Sequence, residues 1–247
     1  MPGPLRRLTP PLLLPTLLLL ALPLLALRGA AVELLTENDP PHNMLRDGKV
    51  VGVATDKLAE AFRRVGAAYK ISLMPWARAY EIAARSADAC VFSAGRTAER
   101  EAAFQWVGPV AEQDWILYAR ADQVDKPAKL EDVRKDAVGG YLQDIITLWL
   151  QARGFQVQAA ASDAVNPRKL MLGRIKYWAS SKSRAGALLE DENLAASVVP
   201  LFTFGHTELY LACNPRVPSA LVQKLNDALV QMKEDGTIAK IEARYAK

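Results

Sequence analysis

The chain has little of what builds metal centres or disulfide scaffolds: two cysteines and two histidines in 247 residues. Cys90 and Cys213 each sit inside an apolar, strand-like run, DACVFS and ELYLACN. Two buried free thiols are therefore expected rather than a bridge, although an exporting cell permits one. His42 and His206 are isolated, and no Cys/His cluster has metal-ligand spacing. Neither a metal nor another cofactor is expected. No basic run with interleaved aromatics occurs, which removes nucleic acid from the expected partners. No catalytic group is evident, so the chain reads as a binder rather than an enzyme.

An excess of one charge is also missing once residues 1–31 are set apart. Arg6 and Arg7 open that segment, a leucine-rich core runs from Pro11 to Leu27, and Gly29-Ala30-Ala31 supplies small residues. This is the pattern of a secretory signal cleaved after Ala31. The core is short for a membrane span and Pro15 and Pro23 interrupt it, while Arg28 beside the cleavage site keeps an uncleaved anchor as the alternative. No cysteine follows the signal, which argues against a lipoprotein. Without the segment, 28 basic residues face 27 acidic ones. The sequence pI of about 9.0 is then a poor guide to partners. The remaining 216 residues can form one large domain or two lobes.

What is present centres on Asp88 to Gly108, DACVFSAGRTAEREAAFQWVG. It reads as a buried strand, a turn at Gly95, and a short helix with Thr97 as N-cap. Arg100 falls in the first helical turn, where the macrodipole disfavours a cation, and Arg96 lies four residues before it. Two readings carry equal weight on spacing alone. Either an anion sits at this helix mouth between strand end and guanidinium, or Glu99 and Glu101 neutralise both arginines on a solvated surface.

PWARAYEIAARSADACVFSAGRTAEREAAFQWVGPV resembles the bacterial extracellular solute-binding proteins of the polar amino-acid type (family 3). The matching features are Asp88-Ala89, Ser93, the T-x-x-R of Thr97 to Arg100, and Phe104. Near the C-terminus, Asp235 to Ile241 (DGTIAKI) matches as well. The resemblance implies an α/β, two-lobe periplasmic-binding-protein fold (type II), each lobe a mixed sheet flanked by helices and joined by two hinge crossovers. It also assigns Arg100 to a ligand carboxylate, which decides between the two readings above.

On this basis residues 1–31 are the signal, 32–113 with 206–247 form one lobe, and 114–205 form the other. Within 105–120 a bend at Trp106 to Pro109 precedes a strand from Asp114 to Arg120. Two further strands, Ser197 to Phe204 and Glu208 to Cys213, flank the return near Gly205. Thr55, Asp144, Ser219 and Thr237 are expected helix caps, and Pro75 is placed in the first turn of its helix.

The expected ligand-binding residues are Arg100, Ser93, Gly95, Trp76, Arg78, Asp39, Glu37, Trp178, Ser180 and Asp144. An amino acid needs a carboxylate partner for its ammonium, since an unpaired charge in a closed cleft costs several kcal/mol. At the strand end IKYWAS the chain offers Ser180 and Ser181, with Lys182 and Arg184 beyond, and no acid. Asp39 or Glu37 is left to supply one from the loop TENDPPHNMLRDGK. A small carboxylate-bearing solute, aromatic or with a second anionic group, is therefore preferred over an ordinary α-amino acid, with Trp76 and Trp178 as flat apolar walls. SADACVFSAGR and GRIKYWASSKSR echo each other as strand, serine turn, arginine.

The expected role is periplasmic capture of that solute by a monomer, for an ABC permease in the inner membrane. An enzyme similar to periplasmic cyclohexadienyl dehydratases, with Glu37, Asp39 or His42 as acid, and a sensory partner of a membrane kinase are the alternatives.

Overall fold

The computed structural model describes Gly3 and residues 31–246 except Val124. Apart from Gly3 and Ala31, the expected signal lies outside the described residues. Among the described residues no helix is long and apolar enough to cross a membrane.

The first lobe opens with β1 (Val32–Thr36), a small β2 (Met44–Arg46) and β3 (Lys49–Val51) hairpin, and α1 (Val53–Val65). It continues with β4 (Tyr69–Leu73), α2 (Trp76–Arg85), β5 (Ala89–Gly95) and the one-turn α3 (Ala98–Glu101). A long β6 (Gln105–Arg120) leads into the second lobe. There β7 (Val138–Tyr141), α4 (Ile145–Ala152), β8 (Val157–Ala160), α5 (Asn166–Met171), β9 (Tyr177–Ser181) and α6 (Lys182–Asp191) follow. The equally long β10 (Val198–Cys213) returns the chain to α7 (Ser219–Glu234) and α8 (Thr237–Ala243).

One eight-stranded sheet, in the order β4-β1-β5-β10-β6-β9-β7-β8, runs through both lobes. The outer strands pair in parallel, β1 with β4 and β5 in one lobe and β7 with β8 and β9 in the other. Between them β6 and β10 pair antiparallel from Cys213 opposite Gln105 to Val198 opposite Arg120. Each lobe buries an apolar layer on both sheet faces, as parallel strands with crossover helices require. In the first lobe Leu34, Phe62, Phe92 and Met232 pack under α1 and α7, and Leu35, Trp76, Val91 and Phe104 pack under α2. Fully burying a side chain such as Phe62 or Phe92 contributes roughly 1.5–3 kcal/mol. In the second lobe β6 alternates, with Trp115 and Leu117 on one face and Ile116 and Tyr118 on the other.

Where a break was expected within residues 105–120 and again near Gly205, the backbone stays in one strand each time. The hinge is thus a two-stranded ribbon, in which His206 faces Asp114 and Gly205 faces Trp115. A Cβ at Gly205 would stand 2.4 Å from the Trp115 ring, so no larger residue fits there without a shift.

The thiols are not free. Cys90 and Cys213 form a disulfide, because β5 and β10 are sheet neighbours with these two residues in register. Thr97 and Asp144 cap helices as expected, their side chains accepting from Arg100 N–H and Ile146 N–H. The other expected caps shift, by three residues in α1 and by one in α7 and α8. Gly52, Pro218 and Gly236 occupy the cap positions, which leaves Thr55, Ser219 and Thr237 inside their helices. Pro75 is itself the residue before the first turn of α2.

Candidate functional site

Open α/β sheets bind ligands beyond the carboxyl ends of their strands. Four such ends converge between the lobes here. The segment after β1 brings Glu37 and Asp39, the end of β5 brings Ser93 and Gly95, the turn after β7 brings Gln143 and Asp144, and the end of β9 brings Ser180 and Ser181.

The loop after β1 is folded onto the site by its polar residues. Asp39 N–H donates to the Asn43 carbonyl (2.7 Å), and the Ser93 hydroxyl donates to the Asn43 side-chain oxygen. Ser93 adopts a left-handed backbone (φ 60°) at which its hydroxyl turns to this loop. His42 Nδ1 lies 3.3 Å from Asp39 Oδ2.

Arg100 is buried to 4 % exposure. Its guanidinium donates to two main-chain carbonyls, Gly95 at 3.2 Å and Gln143 at 2.8 Å, and has no carboxylate partner among the described residues. It lies 4.9 Å from the centre of the Tyr80 ring and 5.9 Å from that of Trp76. Burial holds its pKa below the usual arginine value. Trp76 joins the same arrangement, its indole N–H donating to the Gln143 carbonyl at 3.0 Å and its main-chain N–H to the Tyr141 hydroxyl at 3.1 Å. Gln143 presents that carbonyl from a left-handed conformation, φ 62°.

Arg184 is the opposite case. It occupies the first turn of α6, its N–H donating to the Ser181 hydroxyl, as Arg100 N–H donates to Thr97. Its guanidinium meets three carboxylates: Glu37 at 3.0 Å, Asp39 at 3.1 Å and Asp144 at 3.2 Å. Asp144 does two things at once, since its other oxygen caps α4. Burial and the neighbouring carboxylates of Asp39 and Asp144 push Glu37 up to about 8, against the pull of Arg184. Burial also acts to raise Asp39, but Arg184 and His42 outweigh it and hold this carboxyl at about 2.

Glu37, Trp76, Ser93, Gly95, Arg100 and Asp144 therefore line one small interlobe cavity, of about 10 Å³, with Arg184 and Gln113. That is room for about one water. Gln113 on β6 is 7 % exposed and its side-chain oxygen lacks a partner among the described residues. Gly95 also lets the lobes approach, since a Cβ there would stand 2.4 Å from Ile145 Cδ1 on α4. Asp39 stands behind Arg184 and outside the cavity lining.

Three expected residues are elsewhere. Arg78 is exposed on α2. Trp178 is fully buried beside Tyr118 in the second-lobe core, because β9 turns it to the α5–α6 face. Ser180 is buried and donates to Asp163 at 2.7 Å. Asp163, expected by no motif, also accepts from the Trp178 indole (2.9 Å) and from Asn166 (2.7 Å), so an acid does stand at this strand end. It acts on the core, and burial raises its pKa. Arg184 is the main residue that the sequence left unassigned. Its signal was the spacing Ser181-x-x-Arg184, which repeats Thr97-x-x-Arg100.

Residues 32–247 match the family model of bacterial extracellular solute-binding proteins, family 3. The chain belongs to that family. Among curated protein sequences none matches. Solved structures of this family-3 chain's fold include a histidine kinase sensor domain with similarity to periplasmic binding proteins, at 17% identity and TM-score 0.80, covering 88% of this chain and 96% of that one. An ancestral arginine-binding protein bound to arginine aligns at 23% identity and TM-score 0.76, over 89% of this chain and 100% of its own. The substrate-binding protein of an amino acid ABC transporter aligns at 15% identity and TM-score 0.72, over 87% and 98%. At these identities the likeness establishes the two-lobe fold.

Proposed function

We propose that this family-3 protein is a periplasmic receptor that closes on a small carboxylate-bearing solute, an amino acid or a related organic acid, and delivers it to an ABC permease. The observation that carries the reading is Arg100: a buried guanidinium at the interlobe cavity, hydrogen-bonded to carbonyls and lacking a carboxylate counter-ion among the described residues. A solute carboxylate supplies the missing charge through charge-assisted bonds. In this reading the lobes are residues 32–113 with 206–247 and residues 114–205, residues 1–31 are the export signal, and the receptor is a monomer. The preference for a solute without an ammonium first rested on a missing acid. Glu37, Asp39 and Asp144 supply acids, so that ground is lost and any such preference needs another.

Native mass spectrometry of freshly purified protein should show a bound small molecule, and calorimetry should show that Arg100→Ala no longer takes it up. Equal binding by that variant overturns the reading.

Two observations favour other roles for the same fold. The kinase sensor domain among the similar structures supports a sensory partner, which co-purification with a membrane kinase instead of a permease would establish. A Glu37 carboxyl at about 8 holds its proton at neutral pH, as a general acid must. Turnover of prephenate or arogenate by the purified protein would establish an enzyme.

A further inference from the structure

Arg184 sends its guanidinium from the second lobe onto Glu37 and Asp39 of the first, and keeps Asp144 of its own. These acids are the ones that a ligand ammonium would need. Between the two lobes the protein thus carries a cation of its own. The space that remains beside it, about 10 Å³, admits no solute atom group larger than a water.

Across Arg100 lies a different space. A cavity of about 620 Å³ opens between α3 and α4 and shares Arg100 and Ile145 with the inner one. Its size is in the range of small-molecule sites, about 300–1,000 Å³. Trp115, Trp149 and Leu148 give it an apolar and aromatic wall. The Trp115 indole N–H is buried without a partner among the described residues. Arg153 stacks at 3.7 Å over the Trp149 ring.

We infer that Arg184 is a specificity-determining residue, a built-in substitute for the ligand ammonium, and that the solute is an aromatic or bulky apolar carboxylate without an amino group. Its carboxylate lies on Arg100 and its body lies against Trp115 and Trp149. The inference rests on the reading of Arg100 given above and narrows its ligand class. Competition supports it. A free ammonium on the order of micromolar would have to displace a group tethered at an effective concentration on the order of millimolar, a disadvantage of about a thousandfold. An acid without an ammonium displaces nothing and leaves no carboxylate in the cleft unpaired.

The test is calorimetry on the purified protein with four probes: phenylpyruvate, 3-phenylpropanoate, L-phenylalanine and L-arginine. The two acids without amino groups should bind at least about tenfold tighter than either amino acid. Arg184→Met uncovers Glu37, Asp39 and Asp144 and should reverse that order, whereas Arg184→Lys, which keeps the cation, should retain it. Trp149→Ala should weaken both acids. Tighter binding of L-phenylalanine or L-arginine to the wild type overturns the inference, since Arg184 is then displaced by the ligand. Failure of all four probes overturns it too, as does an unreversed order in a folded Arg184→Met. If that variant does not fold, the wild-type order and the lysine variant decide. The broader reading falls separately, on a carboxylate that binds wild type and Arg100→Ala equally well.

Discussion

Arg100 and Arg184 cross the cleft in opposite directions. Arg100, from the first lobe, donates to the Gln143 carbonyl of the second, and Arg184, from the second, donates to Glu37 and Asp39 of the first. Closure therefore rests on two guanidiniums, one held by carbonyls and one by carboxylates. Trp76 reinforces the first, because its indole N–H shares the Gln143 carbonyl. Trp76→Phe keeps the ring and removes that donor. A neutral hydrogen bond contributes about 1 kcal/mol, so solute affinity should fall about fivefold while the fold persists. Calorimetry on the variant checks this, and small-angle scattering should show a larger open fraction.

Arg100 and Arg96 separate function from surface. Arg100→Ala should weaken carboxylate binding by roughly 2–5 kcal/mol, the cost of removing one partner of a buried charged contact. Arg96 pairs with Glu101 at the surface and lies 5.6 Å from the Trp106 and Tyr210 rings. Exposed pairs contribute about 0–1 kcal/mol, so Arg96→Ala should leave stability nearly unchanged, and because Arg96 only lines the rim of the outer cavity it should cost much less affinity than Arg100→Ala. Equal losses of affinity in both variants would contradict the assignment of the anion to Arg100.

The elements that show plainly in the sequence are those whose signals are local. Thr97 and Asp144 mark helix starts, and the apolar runs in DACVFS and IKYWAS mark strands. What stayed hidden depends on distant segments. Cys90 and Cys213 are separated by 123 positions, and only the adjacency of β5 and β10 brings them together. Tyr177 and Trp178 are both buried, on opposite faces of β9, so alternation alone could not say which one reaches the cleft. Neither does. Arg184 could be placed just beyond the strand end at Ser181 but not paired, because its three acids come from the loop after β1 and the turn after β7.

The disulfide closes a loop longer than a hundred residues at the centre of the first-lobe sheet. By chain entropy such a bridge contributes about 4–5 kcal/mol. Cys90→Ala with Cys213→Ala should lower the denaturation midpoint accordingly, and reductant should destabilise the wild type but leave the double variant unmoved. Insensitivity of the wild type to reductant under denaturing conditions would mean that the thiols are free in solution.

Glu37 makes the site sensitive to pH, and the direction follows from its proton. Its carboxyl sits at about 8 in the folded protein against the usual 4.5. The folded state thus holds an extra proton between those values, and stability falls as pH rises through that window. Asp39 works the other way. Held at about 2 against 3.8, it adds stability as pH rises from about 2 and has contributed all of it above 3.8. The two windows do not overlap, so the site itself is most stable near pH 4, before Glu37 begins to lose its proton in the unfolded chain. Glu37→Gln should abolish the decline between about 4.5 and about 8, so the difference in melting temperature between wild type and variant isolates this one carboxyl. Solute affinity should follow the same proton. Above about pH 8 an ionised Glu37 adds a negative charge beside the cavity that Arg100 lines, and a carboxylate solute should bind more weakly at about pH 9 than at about pH 6. In Glu37→Gln that difference should vanish. If the variant keeps it, another group governs the pH dependence, and Glu37 does not face the bound solute.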